Sequence, residues 1–155
     1  MLLYNVSVVV GMDAEMDDSS ADAMIQTEDT IVSQWENLPV SKCDVRELVD
    51  KVLRPLGLET TLVVIRRANS LALYFICLSL SALMSLRDQW SNGSLKDIVQ
   101  SLFTLLSGAG HEVRVKRLSW SQSDYERCVE FFSSVRGELV ILAVNFRAAL
   151  FIITH

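Results

Sequence analysis

The stretch Thr60–Leu78 (TTLVVIRRANSLALYFICL) constrains the fold of this chain more than any other. Thr60–Arg67 and Ser70–Leu78 are rich in β-branched and apolar residues, and they flank Ala68-Asn69. That pattern predicts two antiparallel strands joined by a tight turn, in which Asn69 can take the left-handed backbone such turns use. Ser70–Leu78 is apolar at odd and even positions alike, so it belongs inside the sheet, covered on both faces or nearly so. Arg66 and Arg67 fall at the tip of the hairpin.

Helical spacing surrounds the hairpin. Val45, Leu48, Val49, Val52 and Leu53 predict a helix that starts near Ser41 and Asp44 and stops at Pro55 and Gly57. A second helix runs from about Leu80 to Trp90, with Leu80, Leu83, Met84 and Trp90 on one face and Asn92-Gly93 as its stop. Ser94 and Asp97 form a capping-box-like pair for a third, whose stripe is Leu95, Ile98, Val99, Leu102, Phe103 and Leu106. Gly108–Gly110 breaks it. Val113, Val115 and Leu118 then alternate with Arg114, Lys116 and Arg117, a half-exposed strand with a basic outer face. Ser123 and Glu126 cap a last helix, Asp124 to about Ser134, with Tyr125, Cys128, Val129 and Phe132 inward. The expected fold class is α+β: a small antiparallel sheet of about four strands packed with helices, mainly on one face, as an α/β sandwich.

Charge divides the chain. Residues 1–40 hold eight acids and no Lys or Arg, whereas residues 41–137 hold thirteen bases and ten acids, a net of +3. The N-terminal stretch is expected to comprise a strand in Met1–Val10 and an acidic, flexible leader, loop over residues 11–40 apart from a turn of helix near Ile31–Trp35. The competing reading is that these acids shield a basic face. Residues 41–137 are expected as the folded domain, and 138–155 as an apolar tail of low order.

Several function classes are disfavoured. A net charge of −5 is not the footprint of a nucleic-acid binder. Leu71–Met84 is fourteen residues long, short of the about 20 needed to span a bilayer. The run Leu139–Thr154 contains Asn145 and Arg147, and a mid-span Arg costs about 2.5 kcal/mol or more. Cys43, Cys77 and Cys128 are odd in number and match no metal or redox spacing, which points to free thiols in a reducing, cytoplasmic setting. The two histidines, His111 and His155, complete no metal or triad motif. No catalytic, metal-binding or cofactor-binding residue is assigned, so the chain is expected not to be an enzyme.

What stands out is basic and exposed: Arg66, Arg67, Ala68 and Asn69 at the hairpin tip, and Arg114, Lys116 and Arg117 on the later strand. Arginine is favoured at interfaces because its planar fork binds carboxylates bidentately and stacks on aromatics. The plainer reading is solubilising charge that protects an edge strand.

The hairpin Leu62–Leu78, the helices within Ser81–Leu106, the strand Val113–Leu118 and the helix Ser123–Ser134 together resemble the TRADD-like N-terminal domain family, over about half the chain. The resemblance implies a four-stranded antiparallel sheet with helices and a scaffolding role. In that family the domain docks on the TRAF domain of a signalling partner, with the hairpin tip and the first strand in the contact. By this match the tip is Arg66, Arg67, Ala68 and Asn69, and the first strand falls in Met1–Val10, where Tyr4 is the only aromatic. The expected function is a protein–protein interaction module in intracellular signalling of the death-receptor or innate-immune type, with a TRAF-type or other adaptor partner. The alternative is a membrane-associated protein held by its C-terminal segment. No death domain follows, which is expected to keep the chain out of death-domain assemblies. Oligomeric state is left open.

Overall fold

A computed structural model describes residues 6–17, 21–108 and 113–137. The elements are β1 (Val8–Met16), α1 (Ala21–Glu36), α2 (Cys43–Leu53), β2 (Thr60–Arg67), β3 (Leu71–Cys77), α3 (Leu80–Ser91), α4 (Ser94–Ser107), β4 (Val115–Ser119) and α5 (Gln122–Gly137). The strands form one antiparallel sheet in the order β2-β3-β1-β4. The chain is thus a small α+β fold, as its pattern predicts.

Alternation in β1 sets the two faces of the sheet. Val8, Val10, Met12, Ala14 and Met16 are buried, while Val9, Gly11 and Asp13 between them are exposed. The helices gather on the buried face. There α4 lies centrally against α1, α2 and α3, and α5 packs on α3 and β1. Its stripe Leu95, Val99, Leu102, Phe103 and Leu106 is buried, with Ile98 half-buried beside it. β3 is an inner strand, as its two-sided apolar run requires, and Leu71, Leu73, Phe75 and Cys77 are buried.

Several details depart from the sequence expectation. The described part of residues 11–40 is mostly not loop: it contains the rest of β1 and all of α1. Their acids misled because two of them sit between buried residues of a strand. In α1, Met24, Glu28, Ile31 and Trp35 share a helical face, and Glu28 interrupts what would otherwise be a plain apolar stripe. The first strand is Val8–Met16 rather than Met1–Val10; Tyr4 lies outside the described residues, as do His111 and the tail 138–155.

The turn after β2 has three residues, Ala68–Ser70, because Arg67 pairs with Leu71. Ala68 N–H donates to Ser70 O at 2.8 Å, and no described non-glycine residue has positive φ, so Asn69 is not left-handed. Helix starts shift too. The cap of α2 is Lys42, without a side-chain bond, rather than Ser41. Gly93, at φ 87°, precedes α4, so Ser94 is already helical; only glycine takes that backbone cheaply where two helices turn so tightly. Ser121 rather than Ser123 accepts from the Asp124 N–H. In α3 the buried residues are Leu83 and Leu86, and Met84 is half-exposed.

Arg87 joins three elements. Its guanidinium carbon lies 4.2 Å from the Trp90 ring centre, 4.9 Å from Trp120 and 4.7 Å from Tyr125. Nη1 donates to Trp120 O at 3.3 Å and Nη2 to Gln122 Oε1. Trp90 and Tyr125 each meet Trp120 edge to face, and Trp90 Nε1 donates to Leu118 O at 2.8 Å. This cluster ties α3 to the end of β4 and the start of α5.

Candidate functional site

The face of the sheet opposite the helices is built from three cross-strand rows. Thr61, Ile76 and Val9 lie side by side, then Val64, Tyr74 and Gly11, then Arg66, Ala72 and Asp13. Successive side chains in a strand point to opposite faces, and the buried neighbours Leu62, Ile65, Leu73, Phe75, Val8 and Val10 fix which face this is. Val63 is an extra residue in β2, a bulge that lets both Leu62 and Ile65 point inward.

The three rows differ in chemistry. The first two are largely apolar, and Val9 is 38% exposed. Tyr74 lies across Gly11: a Cβ there would come within 3.2 Å of Tyr74 Cε1, so glycine at this position lets the ring rest on the neighbouring strand. Arg66 places its guanidinium carbon 5.6 Å from the Tyr74 ring centre. The third row is charged and continues to Ser119 of β4, opposite Asp13.

The residues marked out in the sequence fall into three separate settings. Arg66 is on this open face, and Ala68 and Asn69 are exposed at the tip. Arg67 points to the helical side, where it contacts Asp29 Oδ1 at 2.6 Å and Glu28 Oε1 at 3.2 Å. Lys116 and Arg117 lie on β4, the opposite edge of the sheet, roughly 14 Å from β2 across three strand spacings. Lys116 Nζ is 3.5 Å from Glu15 Oε1, and Arg117 Nη1 is 3.4 Å from Glu15 Oε2. Lys116 is the bulged residue of β4, since Met16 pairs with Val115 and Glu15 with Arg117, so two adjacent bases face one carboxylate. Arg114 is exposed just before β4, and its carbonyl accepts from the Asp17 N–H at 3.0 Å.

The basic residues therefore form no single basic docking edge. Acids of the N-terminal stretch meet three of them, which is the shielding arrangement. The Lys116 and Arg117 pairs with Glu15 are exposed, and surface pairs contribute about 0–1 kcal/mol each. Their consequence is partial cancellation of the basic charge, and it moves attention to the apolar rows. Val9, Gly11, Val64, Tyr74 and Ile76 were not singled out in the sequence; the period-two alternation of Val8–Met16 was the signal that points to them.

Glu28 is the one buried carboxylate among the described residues, 4% exposed. Burial lifts its pKa above the ordinary value, opposed by the Arg67 guanidinium and reinforced by Asp29. A raised folded value favours the neutral form, so the stabilising contribution is complete at acid pH and is lost as pH rises through the folded pKa. Glu28→Gln is neutral at every pH and is expected to match or exceed the wild type in Tm at pH near 7, with a weaker pH dependence across the carboxylate range. Thermal melts at both ends of that range check this; a Tm several degrees lower at neutral pH would show that the Arg67 pair outweighs burial.

The thiols are free. Cys77 is buried, and desolvation, partly offset by its contact with Thr60, pushes its pKa up to about 12; burial also raises Cys128. Both stay protonated near neutral pH, which suits packing rather than nucleophilic attack. No helix among the described residues is long and apolar enough to cross a membrane.

No family model, curated protein or solved structure matches this chain.

Proposed function

We propose that this chain is a non-enzymatic protein-interaction module of the adaptor kind, and that it docks a signalling partner on the open face formed by β1, β3 and β2. The observation that carries this reading is the make-up of that face. Val9, Gly11, Val64, Tyr74 and Ile76 form an apolar centre, bordered by Arg66, on the side of the sheet away from the packed helices. Solvent-facing sheet surfaces are ordinarily polar. An aromatic–arginine pair beside aliphatic residues is the composition of an interface centre.

The resemblance to TRADD-like N-terminal domains supports the same surface, because there the first strand and the hairpin tip meet the partner. Here β1 and the β2–β3 hairpin lie side by side. The partner is then a TRAF-type domain or a comparable signalling adaptor, met in the cytoplasm.

The test is titration of the full chain with an isolated TRAF domain. Arg66→Glu and Val9→Asp, each with an unchanged circular dichroism spectrum, are expected to weaken binding by about tenfold or more, or about 1.4 kcal/mol. Arg117→Glu, on the far edge, is expected to bind as the wild type does. Equal binding by all three variants would move the interface off this face, and no binding by the wild type would remove the TRAF-type partner.

A further inference from the structure

β4 covers only part of β1. It pairs with Asp13–Met16, whereas β3 pairs with β1 from Val8 to Ala14, so residues 8–12 have a strand neighbour on one side alone among the described residues. β4 ends at Ser119, opposite Asp13, and Trp120 turns away to meet Trp90 and Tyr125. Elsewhere side chains meet the sheet edges. Trp35 Nε1 donates to Val63 O on β2; on β4, Trp90 Nε1 donates to Leu118 O and Gln100 Oε1 accepts from the Val115 N–H. No described side chain bonds the main chain of Val8–Met12 in this way. Edge strands that face water usually carry lysine, proline or a charge that blocks further pairing. Val8–Met12 reads VVVGM, with no charge and no proline, and the two acids of β1, Asp13 and Glu15, lie where β4 already stands beside them.

We infer that the segment Leu139–Val144 of the same chain adds to this edge of β1 as a fifth strand. The occupant follows from where α5 leads. α5 packs on β1 and ends at Gly137, and the run LVILAV starts after one further residue, Glu138. The run is apolar at every position and includes the β-branched Val140, Ile141 and Val144, the composition of a strand with apolar surroundings on both faces. Like Val8–Met12 it carries no charge. Six residues span roughly 20 Å and the five of the open edge roughly 17 Å, so the lengths match. A segment joined to a helix on β1 meets that edge at an effective concentration on the order of millimolar, ahead of any free peptide. Ser7 is an independent sign of a covering chain. By the alternation of β1 it lies on the open side with Val9, yet it is 1% exposed against 38% for Val9, and its hydroxyl has no partner among the described residues. Alternate side chains of the added strand stand beside Val9 and Gly11 and widen the open face. The pairing is independent of the docking reading; only the wider docking surface rests on it.

The test is amide hydrogen exchange, with cross-strand nuclear Overhauser contacts, in the full chain and without a partner. Successive N–H groups of a strand point alternately to its two neighbours. Within residues 8–12 both sets are expected to be protected, the outward set with contacts from residues 139–144. Ile141→Pro and Leu142→Pro remove consecutive donors, one of which faces β1. That variant is expected to speed exchange of the outward set about tenfold or more, while the β3-facing set and α4 stay protected. Rapid exchange of the outward set in the wild type, contacts to it from any other segment, or unchanged protection in both proline variants would each overturn the inference. Protection that arises only with a concentration-dependent dimer would give the edge to a second copy. Contacts of residues 139–144 with phosphatidylcholine–phosphatidylglycerol vesicles in place of β1 would give the segment to a membrane, and either result overturns the pairing. None of these readouts needs a partner, so a failed titration with a TRAF domain leaves the pairing standing.

Discussion

Arg87→Ala is expected to lower stability by about 2–4 kcal/mol, seen as a Tm roughly 5–10 °C lower. The guanidinium lies within 5 Å of three aromatic ring centres and donates to both Trp120 O and Gln122 Oε1. Each cation–π contact contributes about 0.5–2 kcal/mol, toward the upper end when water is excluded, and the aliphatic stem packs as well. Truncation also opens a gap among Trp90, Trp120 and Tyr125, so their edge-to-face arrangement loses its central support. Near-ultraviolet circular dichroism should weaken, since it reports the fixed geometry of those rings. Arg87→Lys should fall between the two, because an ammonium keeps the charge but cannot lie flat and bond two acceptors. A loss under about 0.5 kcal/mol for Arg87→Ala would mean that the rings pack equally well without the cation.

The second large effect is expected at Phe103, which is 0% exposed on α4, the helix that α1, α2 and α3 all meet. Phe103→Ala should cost about 3–5 kcal/mol, a large part of the roughly 5–15 kcal/mol that holds a domain of this kind together. The midpoint of urea unfolding should fall with an unchanged slope. Met84→Ala is the control. Its spacing puts Met84 on an apolar face, yet the side chain is 50% exposed, so the change should lie within about 0.5 kcal/mol. Similar losses at the two positions would contradict the central place of α4.

Most of the regular pattern was legible. β2 and β3 read as β-branched and apolar runs around a turn and α4 as an unbroken helical stripe, and their approximate ranges, the inner place of β3 and the α+β class followed from those features. Less legible was anything that depended on a partner distant in the chain. Asp13 and Glu15 read as solvated acids until β4 stands beside them, about a hundred residues later, with Lys116 and Arg117 against Glu15. Glu28 reads as a break in an α1 stripe until Arg67 reaches it across the tip of β2. Counting such acids as loop removed a strand and a helix that belong to the core.

The candidate site shows the same division. Arg66, Arg67, Lys116 and Arg117 look alike in the sequence, but one covers Tyr74, one anchors α1 and two neutralise Glu15. Their different settings follow from strand parity, and parity is altered by bulges at Val63 and Lys116 that no local composition announces.

The amino-acid order by itself determined which segments are strands or helices wherever side-chain periodicity runs unbroken, because that periodicity is a local consequence of backbone geometry. Only the tertiary structure decided which charges are paired and, among the described residues, which sheet face the helices leave open. Those outcomes depend on strand order and register, and each is set by contacts between residues far apart in the chain.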